Sequence, residues 1–107
     1  MRKITEQAAH AFLRRENFKS GNTEVKVEDN VVRMYLHGNL IAQKTPLATT
    51  ISDGGYGQSN TTKERLNGLC NVNIKQVKGV WYLNGQEWDG KNIIIGAFGI
   101  WIDGRAA

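Results

Sequence analysis

Residues 23–44 read TEVKVEDNVVRMYLHGNLIAQK, and the alternation within them decides the fold. Val25 and Val27 fall on one side of an extended chain and Glu24, Lys26 and Glu28 on the other, the period of a half-buried strand. Asp29-Asn30 supplies a two-residue turn. From Val31 to His37, the apolar Val32, Met34 and Leu36 face one way, and Arg33, Tyr35 and His37 the other. Gly38-Asn39 reads as the next turn. Leu40 to Lys44 and then Ala48 to Ser52 continue an antiparallel meander. Pro46, the only proline, interrupts or edges this sheet, because it cannot donate to a ladder.

Upstream, Thr5 to Glu16 has the spacing of an amphipathic helix, with Ala8, Ala9, Phe12 and Leu13 on its apolar rows. Thr5 is a cap candidate, and Glu6 suits the first turn. Arg14 and Arg15 suit the last turn, where cations offset the helix dipole. Ser20-Gly21-Asn22 breaks the pattern before the meander.

Downstream, GGYGQSNTTKERLNGL (54–69) runs from a glycine-rich loop into a short helix. Thr61 and Glu64 have capping-box spacing, and Gly68 is placed to end the helix in a left-handed conformation. Such a loop presents free backbone N–H groups to anions, with Lys63 and Arg65 close by. The pattern of a phosphate-binding P-loop is absent, since no Gly-Lys-Ser/Thr follows. The plainer reading is a loop before a well-capped helix.

Val72 to Val77 alternates again, Lys78-Gly79 turns the chain, and Val80 to Leu83 returns. Asn84-Gly85 is the strongest hairpin signal in the chain, leading into Gln86-Glu87-Trp88 and closing at Asp89-Gly90. The apolar run within Lys91 to Ala107, broken by Gly96 and Gly99, is about half the length a membrane helix needs. It reads as a buried strand or, alternatively, as an exposed oligomer contact.

Composition bounds the function more than it names it. The chain has 107 residues, 40% apolar and 22% charged, which suits one ordinary globular domain. Cys70 is the only cysteine, so no intramolecular disulfide can form, and a reducing compartment is expected. The polar start MRKITEQAAH gives no sign of a secretory leader. The net charge of +4 is concentrated towards the front, where residues 1–20 hold five basic and two acidic side chains. That balance fits contact with nucleic acid or another acidic surface, although a solvated basic face is the commoner meaning.

The strings TEVKVEDNVVRMYLHGNLIA, SNTTKERLNGL and GVWYLNGQEWDG resemble a group of small phage and prophage proteins of uncharacterised function. The resemblance covers roughly residues 3–90, and the tail from Lys91 to Ala107 departs from it. It implies a viral accessory protein acting in the cytoplasm of a bacterial host. It brings no catalytic residues to carry over.

No reaction is marked by the residues themselves. His10, His37 and Cys70 show no metal-ligand spacing, so neither a metal nor a cofactor is expected. Cys70 or Ser59 would need a histidine base that nothing in the spacing supplies. Glu87 and Asp89 flank Trp88 as a carboxylate pair would, but in the manner of a solvated turn. Binding is better supported. Tyr56, Ser59, Asn60, Thr61, Lys63 and Arg65 on the central element, with Arg33 and Tyr35 on one strand face, mix the groups that stack bases and neutralise phosphates.

The expectation is therefore a single small α+β domain over residues 1–107, with residues 91–107 forming a C-terminal strand or tail. It orders an N-terminal helix, an antiparallel β-meander, a short capped helix and a C-terminal β-hairpin. Ala8, Phe12 and Leu13 should pack on a core of Val25, Val27, Val32, Met34, Leu36, Ile74 and Trp81. The expected function is non-enzymatic binding of nucleic acid or another polyanion through Gly54 to Arg65, with no membrane partner. The alternative is inhibition of a host protein, with Trp88, Glu87 and Asp89 as the contact. A third is a minor virion or assembly component that forms homo-oligomers through the apolar tail.

Overall fold

Residues 2–55, 59–97, 101–102 and 105–106 are described by a computed structural model of the chain. The order is α1 (Lys3–Arg14), β1 (Phe18–Ser20), β2 (Thr23–Glu28), β3 (Val31–Leu36), β4 (Asn39–Lys44), β5 (Ala48–Ile51), α2 (Asn60–Asn67), β6 (Ile74–Val77), β7 (Val80–Leu83), β8 (Gln86–Glu87) and β9 (Ile93–Ala97), then the short pair β10 (Trp101–Ile102) and β11 (Arg105–Ala106). This is the anticipated α+β arrangement: a helix, a meander, a second short helix and a hairpin.

Two-residue turns hold the register. Glu28 pairs with Val31 across Asp29-Asn30, and Leu36 pairs with Asn39. The β3–β4 turn is therefore His37-Gly38, one residue earlier than the sequence suggested. Both residues have positive φ (51° and 79°), the conformation that matches a hairpin's twist. Asn84-Gly85 repeats it at 49° and 90°. The larger sheet runs β1-β2-β3-β4-β5-β9, every neighbour antiparallel, and β6-β7-β8 form a smaller one. β1 is an addition: Ser20 pairs with Thr23, so the expected break is itself a hairpin turn.

Alternation then sorts the large sheet into two faces. Val25, Met34, Ala42 and Ile51 lie in one cross-strand row and are buried against the helices. An extra residue in β4, Ile41, sits opposite the Met34–Tyr35 step, and Ile41 and Ala42 are both buried. The smaller sheet adds Ile74, Trp81 and Leu83 to the same core, and Trp88 packs on Trp81 with ring centroids 5.8 Å apart. The anticipated core holds with two adjustments. Val27 is only half-buried, and Leu13 is 55% exposed because α1 turns Ala8, Ala11 and Phe12 inward instead.

The ends of both helices differ from the sequence reading. α1 stops at Arg14, with Arg15 left-handed at φ 59°. Its N-cap is Arg2, so Thr5 is no cap; it is fully buried within the helix. α2 is capped by Ser59, whose Oγ accepts from the Thr62 N–H, so Thr61 lies inside the helix and Glu64 takes no part in the cap. Gly68 is right-handed (φ −74°), and its glycine is required by packing: a Cβ there would lie 2.7 Å from the Thr5 Cγ2 and 3.3 Å from the Ala9 Cβ.

β9 supplies the expected strand of the C-terminal region, at the edge beside β5, with Ile95 buried. Phe98 to Ile100, Asp103, Gly104 and Ala107 lie outside the described residues, and with them part of the expected oligomer contact. No helix among the described residues is long and apolar enough to cross a membrane.

Candidate functional site

Arg65 was expected to meet an anion at the surface. Instead it is 2% exposed and bridges three elements. Its Nε donates to the Thr23 hydroxyl at 2.9 Å, and its Nη1 donates to the Thr5 hydroxyl at 2.8 Å and to Glu64 Oε1 at 2.7 Å. Thr5 in turn donates to the same Glu64 oxygen. Burial pushes the guanidinium below its ordinary pKa, while Glu64 partly restores it. The Thr5 hydroxyl, the Arg2 backbone N–H and the Arg65 charge together hold the Glu64 carboxyl below its ordinary value, against the opposing effect of burial. At 2% exposure, with Nε and Nη1 held by three internal acceptors, this guanidinium is not presented to a surface phosphate, so Arg65 leaves the binding set.

The rest of the central element is also partly spoken for. Ser59 is occupied in capping. The Lys63 Nζ reaches Gln76 Oε1 at 3.3 Å, directing it over the small sheet. Asn60 is exposed and Thr61 half-buried at the first turn of α2. Tyr56 lies outside the described residues.

The proposed partner-binding group is divided as well. Trp88 is 6% exposed, stacked on Trp81, and donates its Nε1 to the Lys91 carbonyl at 2.9 Å. It is core, and cannot act as an exposed anchor. Glu87 and Asp89 are both exposed, but Asp89 lies beyond β8 and accepts from the Lys91 N–H, forming a local turn.

What the fold does assemble is the other face of the large sheet. The row Lys26–Arg33–Gln43–Thr50–Ile94 crosses β2, β3, β4, β5 and β9, and the row Lys19–Glu24–Tyr35–Leu40 runs beside it. These positions alternate with the buried rows, so they point away from both helices and the small sheet. Lys26 Nζ sits 5.7 Å from the centroid of the Tyr35 ring, and Arg33 Nε donates to Gln43 Oε1 at 2.9 Å. Lys19 and Lys26 are exposed, Arg33 and Tyr35 are half-buried, and Leu40 and Ile94 are each exposed by more than a third. Glu24 and Glu28 temper the charge, leaving three cations against two carboxylates.

Arg33 and Tyr35 are thus brought together as the sequence suggested, but on the opposite side of the sheet from Lys63. Lys26 and Lys19 were missed. The two-residue Asp29-Asn30 turn places Lys26 beside Arg33 by register alone, and that signal was available.

A second feature lies on the helix side. Glu6, Ala9, His10, Phe12 and Leu13 of α1, the Gly68–Asn71 segment, and Lys44, Thr49 and Ile95 of the sheet enclose a cleft of about 460 Å³. Cys70, free and exposed, stands at this cleft. Among the described residues no three of His, Cys, Asp and Glu converge as metal ligands would.

Fold and faces define a small α+β protein with an open, mixed aromatic and basic sheet surface and a separate apolar cleft. Residues 1–105 match the model of a family described as Kyanoviridae Gp96 protein. The chain belongs to this family of phage proteins, in keeping with an accessory role. No curated protein and no solved structure matches it.

Proposed function

We propose that this phage protein is a non-enzymatic accessory factor that binds single-stranded nucleic acid across the open face of its six-stranded sheet. The observation that carries the reading is the Lys26–Tyr35–Arg33 cluster on a face that no described helix covers. An aromatic ring on an open sheet offers bases of any sequence a stacking surface, and flanking cations follow the phosphates. The basic sequence pI of about 9.4 supports the same partner. The site thereby moves from the Gly54–Arg65 element to β2 and β3, because Arg65 is interior.

Fluorescence anisotropy of a labelled 15-nucleotide single strand tests it. Three phosphate contacts by Lys19, Lys26 and Arg33 predict a log–log salt slope of about −2, and Lys26→Ala or Arg33→Ala should each flatten it by about 0.7. Tyr35→Ala should cost about 1–3 kcal/mol of affinity at all salt concentrations. Lys63→Ala should change nothing. Binding that resists all three sheet-face substitutions would refute the proposal. A host protein retained by the chain through nuclease treatment and moderate salt would favour the protein-inhibitor alternative.

A further inference from the structure

We propose that the cleft between α1 and the β4–β5–β9 end of the large sheet binds a long-chain carboxylate, with Lys44 holding its head group. The site is separate from the open sheet face. Its volume of about 460 Å³ falls in the range of ligand clefts, and its walls are chiefly Ala9, Phe12, Leu13, Leu69 and Ile95.

Lys44 is what selects the ligand. Its register partners are Val32 on β3 and Thr49 on β5, so it occupies a core-facing position of β4 where the preceding inward residue is Ala42. It is half-buried and lines the cleft, and its ammonium has no ion pair or side-chain hydrogen bond among the described residues. A carboxylate entering the cleft would meet this ammonium as a partner for a charge-assisted hydrogen bond. The other ionisable groups lining the cleft are Glu6 and His10, both on α1, with His10 lying 3.5 Å from Arg14 Nη1. Glu6 repels an anion, so the head group belongs at the sheet floor and the alkyl chain along the helix wall.

The inward register of Lys44 on β4, in a cleft walled chiefly by apolar side chains, suits a narrow amphiphile. A single chain can carry its head group down to Lys44 while its methylenes cover Phe12 and Ile95. A flat protein surface would meet Leu13 and Cys70 at the rim first.

Cys70 provides a probe, being the only cysteine, exposed, and part of the cleft lining. The full chain, reduced, is titrated with octanoate, decanoate and dodecanoate below their micelle concentrations. Cys70 modification by a thiol reagent is followed alongside calorimetry. The expected result is saturable binding of one molecule per chain, about fourfold tighter per added methylene, with Cys70 modification slowed at least tenfold at saturation. Lys44→Met should weaken dodecanoate at least tenfold while leaving decanol unaffected. Leu13→Glu, at an exposed position that leaves the core intact, should weaken both. Equal affinity for dodecyltrimethylammonium, an unchanged Lys44→Met, or Cys70 reactivity that does not respond to saturating dodecanoate would overturn the proposal. So would ligand-independent protection that grows with protein concentration, which would assign the cleft to a second copy of the chain.

Discussion

Replacing Arg65 with alanine should destabilise the fold by about 3–5 kcal/mol, from the loss of two hydrogen bonds to a buried charged group together with the space its side chain leaves. The magnitude follows from its contacts. Two hydrogen bonds join a buried guanidinium to the Thr5 and Thr23 hydroxyls, and bonds to charged groups contribute about 1.5–3 kcal/mol each. The Glu64 contact adds less, because that carboxylate is 30% exposed and partly solvated. The truncated side chain leaves a cavity where α1, α2 and β2 meet. Arg65→Lys keeps the charge but cannot serve Thr23 and Thr5 from separate nitrogens, so it should lose about 1–3 kcal/mol. Urea unfolding with linear extrapolation reads these values, and a cycle with Thr23→Val should give a coupling of about 1–2 kcal/mol. If Arg65→Ala costs less than about 1 kcal/mol, or the cycle shows no coupling, the interior role is wrong. The surface anion role would then be open again.

Other consequences can be tested in the same unfolding assays. Gly68→Ala should cost about 1–3 kcal/mol, since its Cβ would press on Thr5 and Ala9 at the α1–α2 crossing. Trp88→Ala should cost about 3–5 kcal/mol and lower the melting temperature by more than ~10 °C, as a core tryptophan does and an exposed hot spot does not. Because the folded Glu64 carboxyl has its pKa lowered, its contribution is complete above the ordinary carboxylate value and is lost as pH falls through the lower folded value. Stability measured across that acid window should fall less steeply in Glu64→Gln than in the parent chain.

The sheet was legible in the sequence because its signals are local. Alternation from Thr23 to Leu36 and dipeptides such as Asn84-Gly85 report on neighbouring residues, and both survive folding unchanged. The Arg65 network was not legible, since it joins positions 5, 23, 64 and 65 through space. In TTKERLN the arginine looks like one charge among several on a solvated helix. A trace existed in the two threonines. Thr5 lies on the same helical rows as Ala8 and Phe12, and Thr23 on the same strand face as Val25, so two hydroxyls pointed into the core and called for a buried polar partner.

The tryptophans show the reverse difficulty. Trp81 and Trp88 flank a hairpin turn, where an aromatic pair can serve an interface or a core equally well. The choice depended on α2 and the large sheet lying against that hairpin. The cleft was hidden for a similar reason, because Lys44 faces inward only after the extra residue in β4 has shifted the strand's pleat.

The central claim is that the open sheet face contacts nucleic acid, and amide NMR of the full chain titrated with an unlabelled single-stranded oligonucleotide tests it most directly. The account predicts shift changes concentrated at Lys19, Glu24, Lys26, Arg33, Tyr35 and Gln43. Spectra unchanged at a tenfold excess of oligonucleotide, or changes confined to Ser59 to Lys63 at the start of α2, would contradict it.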